Sequence, residues 1–441
     1  MFLSTIILAA GKGSRMKSPL PKVLHQVAGK SLIQFSLDLS IELQSSQVIV
    51  VLSKENRSIK DSLNTNPENL SYAIQKEQKG TGHAVKEAWN YIEKRSETTL
   101  ILYGDTPFIA KNSVKRMLKK LDNGYDLVFL GFQSKKNNSY GKFKIGSKGS
   151  LLEIVESTEE GYSSELKLSN SGIILAKTKS ISLLLPKVNN RNKKKEYFLT
   201  DLVTLAKKNN MSVTYLECSE NECQGVNSQA DLSSAEKLFQ DQFRLKLMNS
   251  GVTLRAPETC FFSFDTKIAP GSIIEQNVVF GPGVKVKNNT TIKSFSHIEG
   301  AQIGKDCQIG PFARIRPETN LDNGVKVGNF VEIKNSSFAA NAKANHLSYI
   351  GDSKLGKHTN IGAGTIFCNY DGRNKNKTII GDKVFIGSNS SLIAPIKVGS
   401  RAVIAAGSII NKDVPSKSLA ISRPPQQNKL NIGKKIMMKK K

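Results

Sequence analysis

The chain has 441 residues, too many for one ordinary core, and 39% of them are hydrophobic, so at least two domains with sizeable cores are expected. Its 64 Lys and Arg outweigh 37 Asp and Glu to give a formal charge of +27. The lysines stand singly among Asn and Ser without the interleaved aromatics of a base-stacking platform, which argues against a nucleic-acid partner and for a solvated surface that favours phosphorylated substrates.

No apolar run approaches the length of a membrane span. The five cysteines, Cys218, Cys223, Cys260, Cys307 and Cys368, are odd in number and lack metal-ligand spacing, which argues against a disulfide framework and for reduced thiols. With no basic leader before the apolar stretch 6–10, a soluble cytoplasmic protein without a membrane partner is expected.

In chain order, β-rich runs at 5–8, 47–52, 99–103 and 126–130 alternate with helix-like stretches at 32–43, 84–94 and 114–121. This is the pattern of a mainly parallel sheet covered by helices, whose ligands bind beyond the carboxyl ends of the strands. After the first strand comes Leu8-Ala9-Ala10-Gly11-Lys12-Gly13-Ser14-Arg15-Met16, and then Pro21-Lys22. Gly11 and Gly13 let backbone N–H groups approach a triphosphate, and Arg15 and Lys22 can offset charge developing on the phosphates.

The stretch 8–22 resembles the signature of sugar-nucleotide pyrophosphorylases, with Ser14 where that family usually has Thr. Gln75-Lys76-Glu77-Gln78-Lys79-Gly80-Thr81-Gly82-His83 is similar to the family's base- and sugar-binding loop, and Tyr103-Gly104-Asp105 follows a strand as its metal-binding turn does. Tyr140-Gly141, Val155-Glu156, Asn170-Ser171-Gly172, the stretch 196–201 and Gly225-Val226-Asn227 then come in the expected order. Any one of these alone is more often a structural turn, but the whole series resembles the uridine-specific members. The resemblance implies that Leu8, Ala9, Ala10, Gly11, Arg15, Lys22, Gln75, Gly80, Thr81, Tyr103, Gly104, Asp105, Gly141, Glu156, Asn170 and Asn227 hold UTP and the UDP-sugar. Asp105 would supply a charged oxygen ligand and Asn227 a neutral one to a Mg²⁺ that keeps its other positions for water and phosphate. Thr158 stands where related enzymes usually have Lys, which puts one phosphate contact of the family in doubt.

Leu232, Ala235, Phe239, Phe243 and Leu247 recur at intervals of three and four and predict one long amphipathic helix ending near Gly251. The expected organisation is a nucleotidyltransferase domain over 1–229, a linker helix over 230–250, and a third part over 251–441 that ends in a frayed basic tail.

Over 268–410 an aliphatic or aromatic residue recurs at every sixth position, in runs that begin at Ile268, Ile303, Leu355 and Ile380. A period of six suits a parallel β-helix whose successive sides each turn one apolar residue inward, so that stacked turns bury one continuous core. The glycines at 304, 310, 328, 356, 362, 381, 387 and 399 are expected where the chain turns tightly with positive φ. Such a solenoid can be purely structural, but the period breaks twice. The first break, over 334–349, contains Asn345-His346-Leu347-Ser348-Tyr349; the second, over 368–375, begins Cys368-Asn369-Tyr370. Both are predicted to be loops ejected from the solenoid, where function is usually placed. His346, near Lys334, Tyr349, Asn369 and Tyr370, suits proton acceptance from an amine attacking a thioester.

These residues resemble, nearly string for string, the acetyltransferase half of the bifunctional N-acetylglucosamine-1-phosphate uridyltransferase/glucosamine-1-phosphate N-acetyltransferase family, and with the first half the likeness covers 8–425. It implies an α/β nucleotidyltransferase domain with a Rossmann-like mixed sheet, a linker helix, and a left-handed parallel β-helix of hexapeptide repeats. It also implies a homotrimer with acetyl-transfer sites between neighbouring subunits. Arg316 and Lys334 resemble the sugar-phosphate clamps, His346 the general base, and Tyr349 and Asn360 sugar contacts. Ala363, Asn369, Tyr370, Ser388, Ala406 and Arg423 fall where the family holds acetyl-CoA. Asn345 stands where relatives generally have Gly and predicts altered loop geometry before His346.

The implied chemistry is acetyl transfer from acetyl-CoA to glucosamine 1-phosphate, then uridylyl transfer from UTP to N-acetylglucosamine 1-phosphate with release of pyrophosphate. The product, UDP-N-acetylglucosamine, feeds bacterial envelope synthesis in the family. A single-activity pyrophosphorylase would have no reason to keep His346, Lys334 and Tyr370 in loops that break the repeat, and a non-catalytic scaffold would be expected to lose Asp105, Asn227 or Lys22.

Overall fold

The computed structural model describes residues 2–63, 67–134, 140–147, 149–159, 161–163 and 166–437. The chain divides into two compact units, Met1–Phe239 and Gln240–Lys441.

The first unit is ordered β1 (Leu3–Leu8), β2 (Gln26–Val27), β3 (Lys30–Ser31), α1 (Leu32–Glu42), β4 (Gln47–Ser53), β5 (Leu70–Gln75), α2 (Thr81–Trp89), β6 (Thr98–Tyr103), α3 (Lys111–Asp122) and β7 (Leu127–Gln133). The hairpin β8 (Lys142–Ile145) and β9 (Leu151–Val155) follows, then β10 (Leu168–Lys177), α4 (Thr178–Leu184), α5 (Leu202–Lys208), β11 (Val213–Cys218) and the start of α6 (Gln229–Asn249). The main sheet runs β11-β7-β10-β6-β1-β4-β5, parallel throughout except for β10, which lies antiparallel to β6 and β7.

Side chains alternate between two cores. Ile6, Leu8, Ile49, Val51 and Ile101 face α2, α4 and α5, whereas Ile7, Val48, Val50, Leu100 and Leu102 face α1 and α3. Burial of both faces is why the strands read as near-continuous apolar runs rather than alternating ones. The helix expected over 84–94 starts earlier, after Gly80, and stops at Trp89. Beyond it the Gln47 side chain takes over the backbone, donating to the Tyr91 carbonyl at 2.7 Å and accepting from the Glu93 amide at 3.3 Å. Tertiary bonds there replace the helical ones.

The second unit is a parallel β-helix of three faces. The first face runs from Thr253–Leu254 to Leu419–Ala420, the second from Phe261–Phe262 to Ile409–Ile410, and the third from Lys267–Ile268 to Ile396–Val398. Its first turn is covered by the second half of α6, where Leu247 and Phe243 join the solenoid core. Gln240 donates to the Phe262 carbonyl at 2.7 Å and accepts from its amide at 3.0 Å, while buried Arg244 donates to the Cys260 carbonyl at 2.9 Å. Those bonds satisfy an end that stacking leaves open.

Two expectations change here. The stretch 334–349 is not an ejected loop, because Phe338, Ala344 and Ile350 are buried core residues on successive faces. The sixfold phase is lost only because the steps from Ile333 to Phe338 and from Ile350 to Leu355 are one residue short, and Ala344 is too small to read as a repeat position. The second break is a true loop, folded back by a Tyr370–Lys375 bridge. The glycines also serve a different purpose. Of the eight, only Gly310 has a positive φ. Most corners with positive φ are occupied by other residues, including Phe295, Phe312, Phe330 and Leu347. What demands glycine is the approach of the next turn: a Cβ on Gly328 would lie 1.8 Å from the Asn345 carbonyl oxygen, and one on Gly387 would lie 2.4 Å from the Ala406 nitrogen.

Gly356→Ala tests this, since its Cβ would lie 2.4 Å from the Gly381 carbonyl carbon. The expected cost is about 1–3 kcal/mol of β-helix stability in chemical denaturation followed by circular dichroism. Gly433→Ala, which meets open space, should be neutral, and equal midpoints for the two variants would refute the stacking argument.

Candidate active sites

The carboxyl ends of β1, β5 and β6 and the turn after β11 surround a cavity of about 550 Å³. Parallel register sets Leu8 opposite Tyr103, so the 9–11 loop leaves the sheet beside the Gly104-Asp105 turn. The Val226 amide donates to the Asp105 carbonyl at 2.9 Å and draws the 225–227 turn to the same place. There the Lys22 ammonium pairs with the Asp105 carboxylate and donates to Asn227 Oδ1 at 3.1 Å, while Arg15 Nη2 donates to that same oxygen at 2.9 Å. Gly13, at φ +64°, leaves the room Lys22 needs, because a Cβ would sit 2.7 Å from that of Lys22. Two cations against one carboxylate leave the floor of the cavity short of negative charge, as a phosphate site requires.

Leu8, Ala9, Ala10, Gly11, Lys22, Gln75, Gly80, Thr81, Tyr103, Asp105, Gly141, Glu156, Asn170 and Asn227 all line this cavity. Arg15 does not, and reaches the site through Asn227; Gly104 lies behind the wall, against Val23 and Ala9. Lys12, Gln78 and Lys194 also line it, though the sequence singled out none of them. Gln78 Nε2 donates to the Ala10 carbonyl at 2.6 Å and ties the two loops together. Thr158 is outside the lining, and the cation near Glu156 is Lys194. Lys194 lies close because the Tyr197 amide donates to the Lys79 carbonyl at 2.8 Å, a long-range contact without a local signal. Burial pushes the Glu156 carboxyl above its ordinary range, although Thr200 donates to it at 3.0 Å. Burial, then the charges of Glu159 and Glu156, push Asp201 up to about 6.

On the second unit, a column of residues follows the corner between the first and second faces. Ala344, Ile361, Ile386 and Ile404 are paired inward positions, so His346, Ala363, Ser388 and Ala406, each two residues further on, stack on successive turns. Arg423 Nη1 donates to the Ala406 carbonyl and closes the column. His346 is exposed, with Nδ1 3.0 Å from Oδ1 of Asn329, its register partner. An amide oxygen only accepts, so Nδ1 carries the proton and Nε2 is free to take another. His346, Asn329, Phe312, Phe330 and Lys293 line a groove of about 360 Å³.

Asn345, expected to alter the loop geometry before His346, lies in no loop and has no positive φ. Asn345 is part of the strand Lys343–His346, and Leu347 takes the positive φ, at 49°. Gly328 on the preceding turn is where glycine is needed, because a Cβ there would lie 1.8 Å from the main-chain oxygen of Asn345.

Arg316 and Lys334 occupy the far end of the second face on consecutive turns. Lys375, then desolvation and the charge of Arg316, push the Lys334 ammonium below the usual lysine range. Arg316 is held by Glu332 at 2.9 Å. Lys375, not singled out in the sequence, reaches this cluster because the ejected loop folds back. Tyr349 Oη accepts from Asn369 Nδ2 at 3.4 Å, and buried Asn369 also donates to Asp352. Tyr370 is exposed on the loop, and Asn360 begins a first-face strand opposite Phe385.

Comparison with known proteins agrees with both halves. A family profile described as a MobA-like NTP transferase domain matches residues 5–165. Bacterial transferase hexapeptide (six repeats) matches 300–335, and Hexapeptide repeat of succinyl-transferase matches 377–412. The chain is 43% identical to the "Bifunctional protein GlmU" of Bartonella quintana, over 99% of this chain and 97% of the relative. It is 41% identical to the protein of that name from Zymomonas mobilis, over 99% of this chain and 98% of the relative, and 43% identical to that of Wolbachia pipientis wMel, over 96% and 97%. Fold and sites thus define a two-part transferase, a nucleotidyltransferase unit followed by a hexapeptide-repeat acetyltransferase unit. The chain belongs to the GlmU family of bifunctional proteins.

The raised carboxyl of Asp201 gives a signed pH dependence. Above about pH 6 it is ionised at a cost to the folded state; as pH falls through about 6 the fold takes up a proton earlier than the unfolded chain, whose Asp titrates near 3.9, and gains stability. Asp201→Asn should therefore raise the denaturation midpoint of the first unit at pH 7.5, followed by fluorescence of Trp89 in α2. The gain should shrink toward zero as pH falls below about 5, and a gain independent of pH would refute the assignment.

Proposed function

We propose that this chain makes UDP-N-acetylglucosamine, acetylating glucosamine 1-phosphate from acetyl-CoA on the β-helix and transferring uridylyl from UTP to N-acetylglucosamine 1-phosphate in the first unit. The observation that carries the reading is the Lys22 ammonium shared by Asp105 and Asn227 on the floor of the nucleotide-sized cavity. These two oxygen donors already accommodate a cation, and among the described residues there is no cluster of three His, Cys, Asp or Glu able to hold a metal alone. That donor set fits a Mg²⁺ shared with nucleotide phosphates, which when bound would offset charge on the departing pyrophosphate. Lys22 and Arg15 then turn to the triphosphate, the Gly11 loop supplies backbone N–H groups, and Gln75 with Gly80 and Thr81 holds the base. Glu156, Asn170 and Gly141 hold the sugar, so that its 1-phosphate attacks the α-phosphorus in line.

In the second unit, Arg316, Lys334 and Lys375 form a cation cluster that suits the acceptor's 1-phosphate, with Tyr349 and Asn360 toward its sugar. His346 Nε2 takes the proton as the amine attacks the thioester carbonyl, and Asn329 keeps the ring in the required tautomer. The column Ala363, Ser388, Ala406 and Arg423, with Asn369 and Tyr370, lies along acetyl-CoA. Assembly into a homotrimer is supported by an exposed apolar ladder: Phe295 and Phe312 stack at 4.9 Å, Phe312 and Phe330 at 5.2 Å, and Leu347 follows on the next turn. A neighbouring copy would cover this ladder, and the groove beside His346 with it. The free thiols support a cytoplasmic setting.

Asp105→Ala should abolish UDP-N-acetylglucosamine formation while leaving acetyl transfer intact, measured by supplying each substrate set separately. Uridylyl transfer near the unmutated rate with Mg²⁺ present would remove Asp105 from the site.

His346→Ala leaves every inward residue in place, so circular dichroism and oligomer mass should not change. Acetylation of glucosamine 1-phosphate, followed as thiol release from acetyl-CoA, should fall at least ~100-fold. Uridylyl transfer should stay within about twofold, because His346 is not in that cavity. A smaller fall in acetylation with the fold intact would make His346 structural.

A further inference from the structure

Cys218 and Cys223 have no part in either transfer, yet their sulfur atoms lie 3.1 Å apart across the turn that leads into Asn227. Cys218 ends β11, paired with Phe132, and its partly exposed thiol also donates to the Gly131 carbonyl at 3.5 Å. Cys223 is only 1% exposed. The adjacent Cys218 sulfur and then burial push the Cys223 thiol far above its usual range, so it remains an S–H donor in the reduced protein.

We propose that Cys218 and Cys223 are a reversible disulfide site whose oxidation shuts down the nucleotidyl-transfer cavity, an inference that rests on the reading of Asn227 as part of that cavity. A disulfide holds its sulfurs about 2.0 Å apart, so this pair has to close by about 1 Å. One side yields less: Cys218 is paired with Phe132 at the end of β11, and the turn between the cysteines is tethered by Glu222, which accepts from Ser113 Oγ at 2.6 Å and from the Ala110 amide at 3.3 Å. The movement therefore falls mainly on Cys223 and the residues after it. Gly225 is held by a 3.3 Å bond from its amide to Tyr140 Oη, and Val226 by its amide bond to the Asp105 carbonyl. Both bonds link the turn to the cavity, so its displacement misplaces Asn227 against Asp105. A misplacement of about 1 Å costs on the order of 100-fold in rate.

The oxidant is a low-molecular-weight disulfide of the glutathione type. The accessible Cys218 thiolate attacks one of its sulfurs, the oxidant's S–S bond breaks, and one thiol leaves. Cys223 then attacks the Cys218 sulfur, its proton passing to the second thiolate as that group is expelled. The two cysteines lose two electrons and two protons in total, and the oxidant is reduced to two thiols.

The test incubates the full chain with oxidised glutathione and reads peptide masses together with both activities. The expected result is a peptide linking Cys218 to Cys223 with the loss of two hydrogen atoms, at least a ~10-fold fall in uridylyl transfer, and acetyl transfer within about twofold of the untreated protein. Dithiothreitol should restore the rate, and Cys218→Ser should remain active under the same oxidant. Glutathione retained on Cys218 without a link, or a linked protein with undiminished uridylyl transfer, overturns the proposal. Reduced Asn227→Ala separates the premise from the proposal: if it is inactive, the role of Asn227 survives even where the switch fails.

Discussion

Parallel strand pairing in fixed register is the constraint on which both sites depend. In the first unit it sets Leu8 opposite Tyr103, so two loops distant in sequence leave the sheet side by side and Asp105 meets Lys22. In the second unit it sets each turn on the one before, so residues two beyond the inward positions align in a single column that holds His346, Ala363, Ser388 and Ala406. The ladder fixes where each loop leaves the sheet, and bonds such as that from the Val226 amide to the Asp105 carbonyl set the position of the groups the loops carry.

Both sites are also built with cations in excess. Asp105 stands against Lys22 with Arg15 close by, and Lys334 stands against Lys375 and Arg316, with Glu332 engaged by Arg316 and Asp352 acting on Lys334. Like charges held together disfavour the charged state of each, as the lowered Lys334 ammonium records, and a phosphate relieves that repulsion on arrival. The formal charge of +27 acts at longer range, raising the local concentration of anionic substrates without selecting among them. Selection falls to the shape of the walls, where Gln78 fixes the Ala10 carbonyl and Thr200 fixes Glu156.

The β-helix relies on contact between successive turns more than on turn conformation. Phe295, Phe312 and Phe330 tolerate left-handed backbone at a corner, where a glycine would be the default, and stack their rings along the outside. Glycine is reserved for positions such as 328 and 387, where the next turn's backbone comes too near for any Cβ. The strain of a non-glycine corner is small and offset locally, whereas a clash with backbone on the next turn has no local remedy.

The alternation of strands and helices in the first half of the first unit, the long helix and the solenoid were legible in the sequence, because apolar period reports which way a side chain must face, whereas β5, β8 to β11, α4 and α5 gave no such signal. Fourteen of the sixteen residues that the resemblance assigned to nucleotide and sugar line one cavity, at the ends of strands where such a sheet binds ligands. Three things were decided only by tertiary structure. The one-residue shortening at Ile333 looks like an interruption in a linear text, but three-dimensional stacking absorbs it without ejecting a loop. Lys194 and Lys375 belong to sites that their local sequence does not announce: a long-range bond between Tyr197 and Lys79 delivers the first, and the folding back of a loop through the local Tyr370–Lys375 bridge delivers the second. The pairing of Cys218 with Cys223 likewise depends on a turn held by Glu222 against α3. Periodicity records the direction of a side chain, whereas its neighbours are set by how the elements close on one another, and that is fixed only when the chain is folded.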